Sequence, residues 1–556
     1  MKIVECVPNF SEGRDLKKIE AITDVIKAVP DVKLLDVDPG ADTNRTVVTF
    51  VGTPEGVKEA AFQAIRKASE VLDMGKHRGA HARMGATDVC PFVPVSGVTM
   101  EDCVALAREL GERVGRELGI PVYLYEYAAS KPERRNLAEV RAGEYEGLHE
   151  KLKKPEWKPD FGPAEFNPKA GATIIGARDF LIAYNVNLNT KDKKLAHEIA
   201  LDIREAGRPS KGPDGKTLKD AGGNPVKIPG KFKAVKAVGW YIEQYGQAQI
   251  SINLTNWKLT PPHVVFEAAC EGAHKLGLRV TGSELVGLIP LEPLLDAGRY
   301  YFKRQGKSTG VPHYELISMA VRSLGLDQLS EFDPAKKVIE YQFSPQAPLM
   351  SMTAKRFVDE VSADSPAPGG GSVAALSGAL GAALAAMVAN LTVGKKGYEA
   401  SFERMDGLSG EAQAVKDSLC KCVDDDTSAF NSLMEAMRLP KKTPDQIAAR
   451  DAAIQDGYKK AIEVPLGTAK LCMRALELSK EVAEKGNKNS ASDAGVAALA
   501  AWTGVEGALM NVLINLKEVK DEKYKPQMVA TVQKMKKEAA ALRDSVMATM
   551  DAALAG

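Results

Sequence analysis

The chain has 556 residues, and its 74 lysines and arginines against 73 aspartates and glutamates leave a formal net charge of +1. That length is too great for one ordinary core and implies two or more domains, while the charge balance excludes a global field that would recruit nucleic acid or an anionic membrane surface. The seven cysteines, Cys6, Cys90, Cys103, Cys270, Cys420, Cys422 and Cys472, form no Cys-x-x-Cys pair and have no adjacent histidine ligands. They read as reduced thiols of a cytoplasmic protein without a metal site.

The opening Met-Lys-Ile-Val-Glu-Cys-Val reads as a strand and carries an acid where a signal peptide needs an apolar run. A strand over residues 3–7 precedes an amphipathic stretch over 16–29. Strands at 32–37 and 46–51, a helix at 55–72 and a strand at 89–95 complete a βαββαβ order. A helix at 101–117 and a strand at 122–127 follow, and a polar stretch then runs to Pro168. Between the second helix and the fourth strand lies Gly75-Lys-His-Arg-Gly-Ala-His-Ala-Arg-Met-Gly85, with two of the seven histidines and two arginines between glycines. Glycine lets backbone approach a ligand, histidine moves protons near neutral pH and arginine forks onto carboxylates. The other reading of this segment is an exposed basic turn.

A similar order recurs: strand 180–187, helix 194–206, strands 234–242 and 248–254, helix 263–276 and strand 279–288. Two βαββαβ units, each an antiparallel-biased sheet covered by helices, would leave a cleft for a long substrate. Residues 210–233, rich in Gly, Pro, Lys and Asp, read as a solvated loop or insertion. The fold class expected is α+β followed by all-α. Its parts are a first subdomain over 1–178, a second over 179–343, a linker over 344–353 and a helical domain over 354–556. The last histidine is His313, so acid–base chemistry in the helical domain must use other groups. Residues 372–394 carry no charge and could span a bilayer by length, but their alanine and glycine content favours a buried, closely packed helix.

On the helix near 412–439, steps of three and four place Val415, Leu419, Cys422, Asp426, Phe430, Leu433 and Met437 on one apolar stripe. A carboxylate in that position is paired, neutral with a raised pKa, or lining a cavity. Its neighbours Asp424 and Asp425 turn to other faces and read as solvated. Asp493 begins a second stripe, Val496, Ala500, Thr503, Gly507, Met510 and Ile514, where an acid in a first helical turn also serves the helix dipole. The glycine loop Pro366-Ala-Pro-Gly-Gly-Gly-Ser372 opens onto the uncharged helix. Its N–H groups, including those of Gly370 and Gly371, can receive an anion or a planar heterocycle.

These motifs carry a family resemblance. Val7-Pro-Asn-Phe-Ser-Glu-Gly13, Leu35-Asp-Val-Asp-Pro-Gly40, Thr43-Asn-Arg-Thr46, Gly79-Ala-His-Ala-Arg-Met-Gly85, Asp88-Val-Cys-Pro-Phe92, Gly176-Ala-Arg178 and Asn185-Val-Asn187 resemble glutamate formiminotransferases. Pro368-Gly-Gly-Gly-Ser-Val-Ala-Ala375, Arg438-Leu-Pro440, Ser492-Asp493 and Asn511-Val-Leu-Ile-Asn-Leu516 resemble formimidoyltetrahydrofolate cyclodeaminases. Nearly the whole chain is similar to the bifunctional formiminotransferase cyclodeaminases.

The resemblance implies two ferredoxin-like subdomains forming a cleft, then a helical bundle. It implies transfer of a formimino group from N-formiminoglutamate to N5 of tetrahydrofolate in histidine breakdown, then ring closure to 5,10-methenyltetrahydrofolate with loss of ammonia. Tetrahydrofolate, polyglutamylated, is the co-substrate, with no metal, nucleic-acid or membrane partner, and the helical domains join copies of the chain. His81 is the implied transferase catalyst, oriented by Asp38, with Arg45 and Arg83 for the glutamate carboxylates, a structural ion pair being the other reading of each arginine. Folate contacts are implied for Gly162, Pro163, Ala164, Glu165, Phe166, Asn167, Pro168, Lys169, Ala170 and Gly171, with Asn185 and Asn187 at the pterin edge. Asp426 is the implied acid of the second reaction and Asp493 its partner. A cyclohydrolase, or a folate-binding assembly module without catalysis, is the alternative for the helical half.

Overall fold

The computed structural model describes residues 2–41, 43–79, 82–220, 222–342 and 348–555. The chain forms two compact units: Met1–Ala297 with Val321–Ser344, and Gly298–Ala320 with Pro345–Gly556.

The first unit begins with β1 (Ile3–Cys6), β2 (Asn9–Phe10), α1 (Leu16–Lys27), β3 (Val32–Gly40), β4 (Arg45–Gly52), α2 (Pro54–Val71), β5 (Thr87–Ser96), α3 (Met100–Leu118) and β6 (Val122–Glu126). Local chemistry sets the helix starts. Asp15 caps α1, Thr53 caps α2 ahead of Pro54, and Thr99 with Asp102 forms a capping box on α3. Short helices α4 (Leu137–Arg141) and α5 (Glu144–Leu152) precede β7 (Thr173–Ala177). The strands lie in the order β3, β4, β1 with β2, β5, β7, β6. Antiparallel pairing (Val4 with Gly52, Asp38 with Val47) gives way to parallel pairing where β7 joins β5 (Val89 with Ile174) and β6. The first sheet is therefore mixed but mostly antiparallel, in keeping with the antiparallel bias expected, and the parallel part comes from a strand the sequence did not reveal. The strand missed, Thr-Ile-Ile-Gly-Ala, is a short apolar run buried throughout, so it shows no alternation to read.

A second, wholly antiparallel sheet follows from β8 (Ile182–Leu188), α6 (Lys193–Ile203), β9 (Arg208–Pro209), β10 (Lys227–Ile228), β11 (Val235–Ile242), β12 (Gln247–Leu254), α7 (Pro262–Lys275) and β13 (Val280–Val286). Its order is β11, β12, β8, β13. Strand β9, just before the expected insertion, pairs with β10 inside it, so the insertion is held in a small hairpin. Ile182, Tyr184, Val186 and Leu188 of β8 face the core, leaving Ala183, Asn185 and Asn187 on the opposite side.

Helices α8 (Leu291–Arg304) and α9 (His313–Leu324) are followed by α10 (Pro334–Lys337) and α11 (Ile339–Gln342). The segment Gly298–Ala320 groups with the helical unit. There Asp406 Oδ1 accepts from Thr309 N at 2.6 Å, and Asn390 bonds Ser308 Oγ at 2.7 Å and the Gly310 carbonyl at 2.9 Å.

The helical unit adds α12 (Ala354–Val361), α13 (Gly370–Asn390), α14 (Phe402–Met437), α15 (Pro444–Lys485), α16 (Ala491–Leu516) and α17 (Tyr524–Leu554). Helix α13 packs on α14, α15 and α16, which is why it is built from alanine and glycine: a methyl group on Gly378 would overlap Cys472 Sγ of α15. By length and composition α13 and the segment Lys488–Leu516 could each cross a membrane, with 61% and 44% of their most apolar windows buried inside the unit. The sequence reading had singled out only the first.

Pro465 lies inside α15 and cannot donate to the Ala461 carbonyl one turn back. Asn515 Nδ2 of α16 donates to that carbonyl at 2.8 Å. One of the expected environments differs. Asp424 accepts backbone N–H bonds from Leu349 (2.9 Å) and Met350 (3.4 Å), so it is engaged, not merely solvated. The α16 stripe begun by Val496 points outward, because the helix buries its small residues, Ala494, Ala497, Ala501, Gly504 and Ala508, against α13 and α15.

Candidate active sites

His81 lies outside the described residues; the chain on either side of it is built from tightly bonded turns. Asn44, just before β4, ties three segments together. Its Oδ1 accepts from Gly13 N at 2.9 Å, its Nδ2 donates to the Arg78 carbonyl at 2.9 Å, and its own carbonyl meets His77 Nε2 at 2.8 Å. The other ring nitrogen, Nδ1, accepts from Arg83 Nε at 3.2 Å. A guanidinium nitrogen can only donate, so His77 is the neutral tautomer with its proton on Nε2. Burial lowers its pKa, with the Arg83 charge acting in the same direction and the Asn44 carbonyl against it.

Arg83 is buried. Its Nη1 donates to Glu144 Oε2 at 2.9 Å and Glu146 Oε2 at 3.0 Å, and its Nη2 to Glu146 Oε1 at 2.6 Å. Its fork is thus occupied by two carboxylates of α5. The guanidinium expected to hold substrate carboxylates here anchors α5 and His77. Spacing alone could not reveal this, because Glu144 and Glu146 lie more than sixty residues away.

The stretch expected to contact folate runs beside the histidine segment. Gly85 bridges Gly171, Ala86 N donates to the Ala170 carbonyl at 2.8 Å and Met74 N to the Lys169 carbonyl at 3.0 Å. Gly171 has φ +68°, and a side chain there would run into the Met84 carbonyl, so the approach requires glycine. Asn167 Oδ1 closes a turn onto the N–H groups of Lys169 and Ala170, while Phe166 packs on Tyr145 and His149. Gly162, Pro163, Ala164 and Glu165 are exposed, as are Pro168 and Lys169.

Between the two sheets of the first unit lie two cavities of about 610 and 750 Å³ that share Val7, Arg178 and Leu181. Arg45, Arg141, Arg178 and Lys236 line the first. Arg141 is paired with Asp88, and Arg45 has its pKa lowered by burial and by the Arg141 charge. The second is lined by Glu5, Asp36 and Asp38, with Lys336 and Lys337 at its wall. The first cavity thus sets four cations against Glu126 and Asp179, and the second sets three carboxyl groups against Arg178, Lys336 and Lys337. Arg45 and Asp38 fall one in each.

Asn185 and Asn187 do not behave alike. Asn187 is fully buried, donating to Gln328 Oε1 at 2.6 Å and accepting from Gln249 Nε2 at 2.7 Å, so its amide is spent inside the protein. Asn185 donates to Glu284 Oε2 at 3.2 Å. Neither asparagine lines the two cavities.

In the helical unit Asp426 of α14 is seated against the first turn of α13. Its carboxyl lies against Gly371, where a methyl group would overlap both carboxyl oxygens, and Ser372 approaches it with its N–H and with Oγ at 3.4 Å. Burial raises its pKa, and the Ser372 bonds partly offset that. Asn511 of α16 approaches the same turn at Gly370. Two features singled out separately in the sequence, the stripe aspartate and the glycine loop, thereby form one site. Asp493 is not part of it. Helices α13 and α16 run antiparallel, with Gly370 near Asn511 and Gly381 near Ala497, so Asp493 lies about 27 Å from Asn511 at the helical rise of 1.5 Å per residue.

Sequence reasoning missed Glu5, Arg178, Ser372 and Asn511. An acid within the apolar run Ile-Val-Glu-Cys was a signal for the first, and an arginine at the junction of the two βαββαβ units for the second. The other two stood inside motifs whose surroundings only the folded helices supply.

The formiminotransferase domain, N-terminal subdomain, family matches residues 3–178, the formiminotransferase domain family residues 183–344, and the formiminotransferase-cyclodeaminase family residues 353–534. The chain is 46% identical over 554 residues to a formimidoyltransferase-cyclodeaminase of Mus musculus, covering 99% of each. Its first part is 43% identical to a glutamate formimidoyltransferase of Streptococcus pyogenes, covering 54% of this chain and 94% of that protein. A further 39% identity over 198 residues links it to a methenyltetrahydrofolate cyclohydrolase of Methylorubrum extorquens, covering 36% and 95% respectively. With those matches spanning both halves, the chain belongs to the formimidoyltransferase-cyclodeaminase family.

Proposed function

We propose that this protein transfers the formimino group of N-formiminoglutamate to N5 of tetrahydrofolate and then closes 5-formiminotetrahydrofolate to 5,10-methenyltetrahydrofolate, releasing ammonia, as a step of histidine breakdown in the cytoplasm. The transferase occupies residues 1–178 and 179–343, read as two ferredoxin-like subdomains. The order β11, β12, β8, β13 with its two covering helices supports that reading in the second. A linker over 344–353 leads to the helical domain over 354–556.

The observation that carries the second activity is the Asp426 carboxyl on the first turn of α13, held toward its neutral form by burial. A neutral carboxylic acid can protonate the amino group that departs after N10 attacks the formimino carbon, and the N10 proton restores the acid. The first-turn N–H groups of α13 and the Asn511 amide supply donors for a folate edge. In the transferase, N-formiminoglutamate carries two carboxylates and a basic formimino group. The cations of the first cavity suit the former, and the carboxyl groups of the second, Asp38 among them, the latter. His81 moves the proton between N5 and the departing glutamate nitrogen. The same cations favour a polyglutamate tail on the folate.

Self-association of the helical domain belongs to this reading. Val373, Leu380 and Met387 on α13 and Val496, Met510 and Ile514 on α16 form an exposed apolar face, with Leu380 56% and Met510 60% exposed. Sedimentation of Leu380→Glu beside the unsubstituted chain tests it: a smaller particle supports self-association and an unchanged one removes it. For the two activities, the purified chain given both substrates is expected to release glutamate and ammonia and to develop methenyl absorbance. Methenyltetrahydrofolate hydrolysis without ammonia release from the formimino compound would favour a cyclohydrolase instead.

A further inference from the structure

Arg178 stands where the two transferase cavities meet and lines both. It follows β7 and precedes β8, at the crossing from the first sheet to the second. Its position is fixed by backbone: its N–H donates to the Phe92 carbonyl at 3.1 Å and its Nη1 to the Asp179 carbonyl at 3.0 Å. Asp179 is itself held from both subdomains, accepting from Tyr127 OH and Asn256 Nδ2 at 2.9 Å each. Among the described residues no carboxylate forms an ion pair with Arg178, whereas Arg141, which lines the first cavity with it, is paired with Asp88.

Glu5 lines one of these cavities from β1 and is 4% exposed. Val51 and Val93, its partners across the strands, carry no charge. The charged groups sharing its cavity are Asp36, Asp38, Arg178, Lys336 and Lys337, and the Cys6 thiol, hydrogen-bonded with the Cys90 thiol, follows it in the chain. Burial pushes the Glu5 carboxyl up to about 7, and Arg178 is the cation that pulls it down.

We propose that Arg178 and Glu5 form a proton-linked anion subsite: Arg178 receives a carboxylate of the glutamate moiety, and Glu5 takes up a proton as that carboxylate arrives. This rests on the transferase reading above. The linkage follows from electrostatics. A carboxylate on Arg178 withdraws from Glu5 the charge that offsets its burial, so the neutral acid is favoured. Conversely, ionised Glu5 competes for the Arg178 field and weakens anion binding. Affinity therefore falls as pH rises through the range in which Glu5 ionises, with a limiting slope of tenfold per pH unit for one linked proton. Arg178 is a binding residue and Glu5 a positioning residue acting through it.

The test is the inhibition constant of L-glutamate against N-formiminoglutamate in the transferase reaction of the full chain, measured from about pH 6 to about pH 8. The constant is expected to rise several-fold to tenfold across that range in the unsubstituted protein. In Glu5→Gln it is expected to be nearly flat. Arg178→Gln is expected to raise it at least tenfold with kcat changed less than KM, and Arg178→Lys to restore part of the loss. Thermal unfolding of each variant separates loss of binding from loss of fold. An unchanged constant in Arg178→Gln, or an undiminished pH slope in Glu5→Gln, overturns the inference while leaving the transferase reading intact. Absence of any transfer by the unsubstituted protein overturns both.

Discussion

The Asp426 carboxyl and Gly371 are in such close contact that the glycine has no room for a side chain. This contact joins α14 to the first turn of α13, and it makes a glycine part of the site for geometric reasons alone. Gly371→Ala is expected to displace the carboxyl from the turn and to lower ring closure of supplied 5-formiminotetrahydrofolate by about a hundredfold, the scale of a misplaced general acid. Glutamate release from N-formiminoglutamate should be unchanged. Ammonia release and glutamate release, measured separately, check both statements.

Asp426 also links activity to pH. Burial raises its pKa above the usual 3.8, and Ser372, which favours the charged form, opposes this. Since the neutral acid is the working form, ring closure falls as pH rises through the folded-state pKa. Ser372→Ala removes a bond to the carboxylate and is expected to move that fall to higher pH. A shift of the profile to lower pH would contradict the assignment. The stability sign follows from the same shift: the folded pKa exceeds the unfolded one, so ionisation above the unfolded pKa costs stability. Asp426→Asn is accordingly expected to be at least as stable as the unsubstituted chain near neutral pH, measured by denaturant unfolding.

His77 is a strut with one donor and one acceptor in use. His77→Gln can keep both bonds, whereas His77→Leu leaves the Asn44 carbonyl and Arg83 Nε without that partner. Transfer is expected to survive in the first and to drop at least tenfold in the second, a loss of about 1.4 kcal/mol in transition-state stabilisation. Protonation of His77 would set an N–H against Arg83 Nε–H. Because its folded pKa is lowered, its contribution to stability is present above the unfolded pKa near 6.5 and is lost as pH falls below that value.

Asn515 and Pro465 offer a stability test inside the helical core. Asn515→Leu leaves the Ala461 carbonyl unpaired and is expected to cost about 1–3 kcal/mol. In a Pro465→Ala background the restored N–H reaches the same carbonyl, so the cost should be smaller. A double-mutant cycle from equilibrium unfolding measures the difference; additive effects would show that the carbonyl has another partner.

The order of elements was legible because local signals and packing agreed. Thr99 with Asp102 caps a helix that forms there, and the alternation Arg-Thr-Val-Val-Thr-Phe gives a strand with one face buried. What could not be read was set by distant partners. Arg83 looked available until Glu144 and Glu146 closed on it, and Asn187 until Gln249 and Gln328 did. The stripe from Val496 to Ile514 has helical spacing, but α16 turns its alanines and glycines inward because small residues permit the closest packing on α13. Asp493 and Asp426 share residue type and pattern, yet the antiparallel course of two helices separates them.

The central claim, two separate sites with two different acids, is tested most directly by giving full-length His81→Ala and Asp426→Asn both N-formiminoglutamate with tetrahydrofolate and, separately, 5-formiminotetrahydrofolate. The account predicts that His81→Ala loses glutamate release but still forms the methenyl compound and ammonia from supplied 5-formiminotetrahydrofolate. It predicts that Asp426→Asn releases glutamate at the unsubstituted rate and forms neither ammonia nor the methenyl compound. Loss of both reactions in both folded variants, or retention of ring closure in Asp426→Asn, would contradict it.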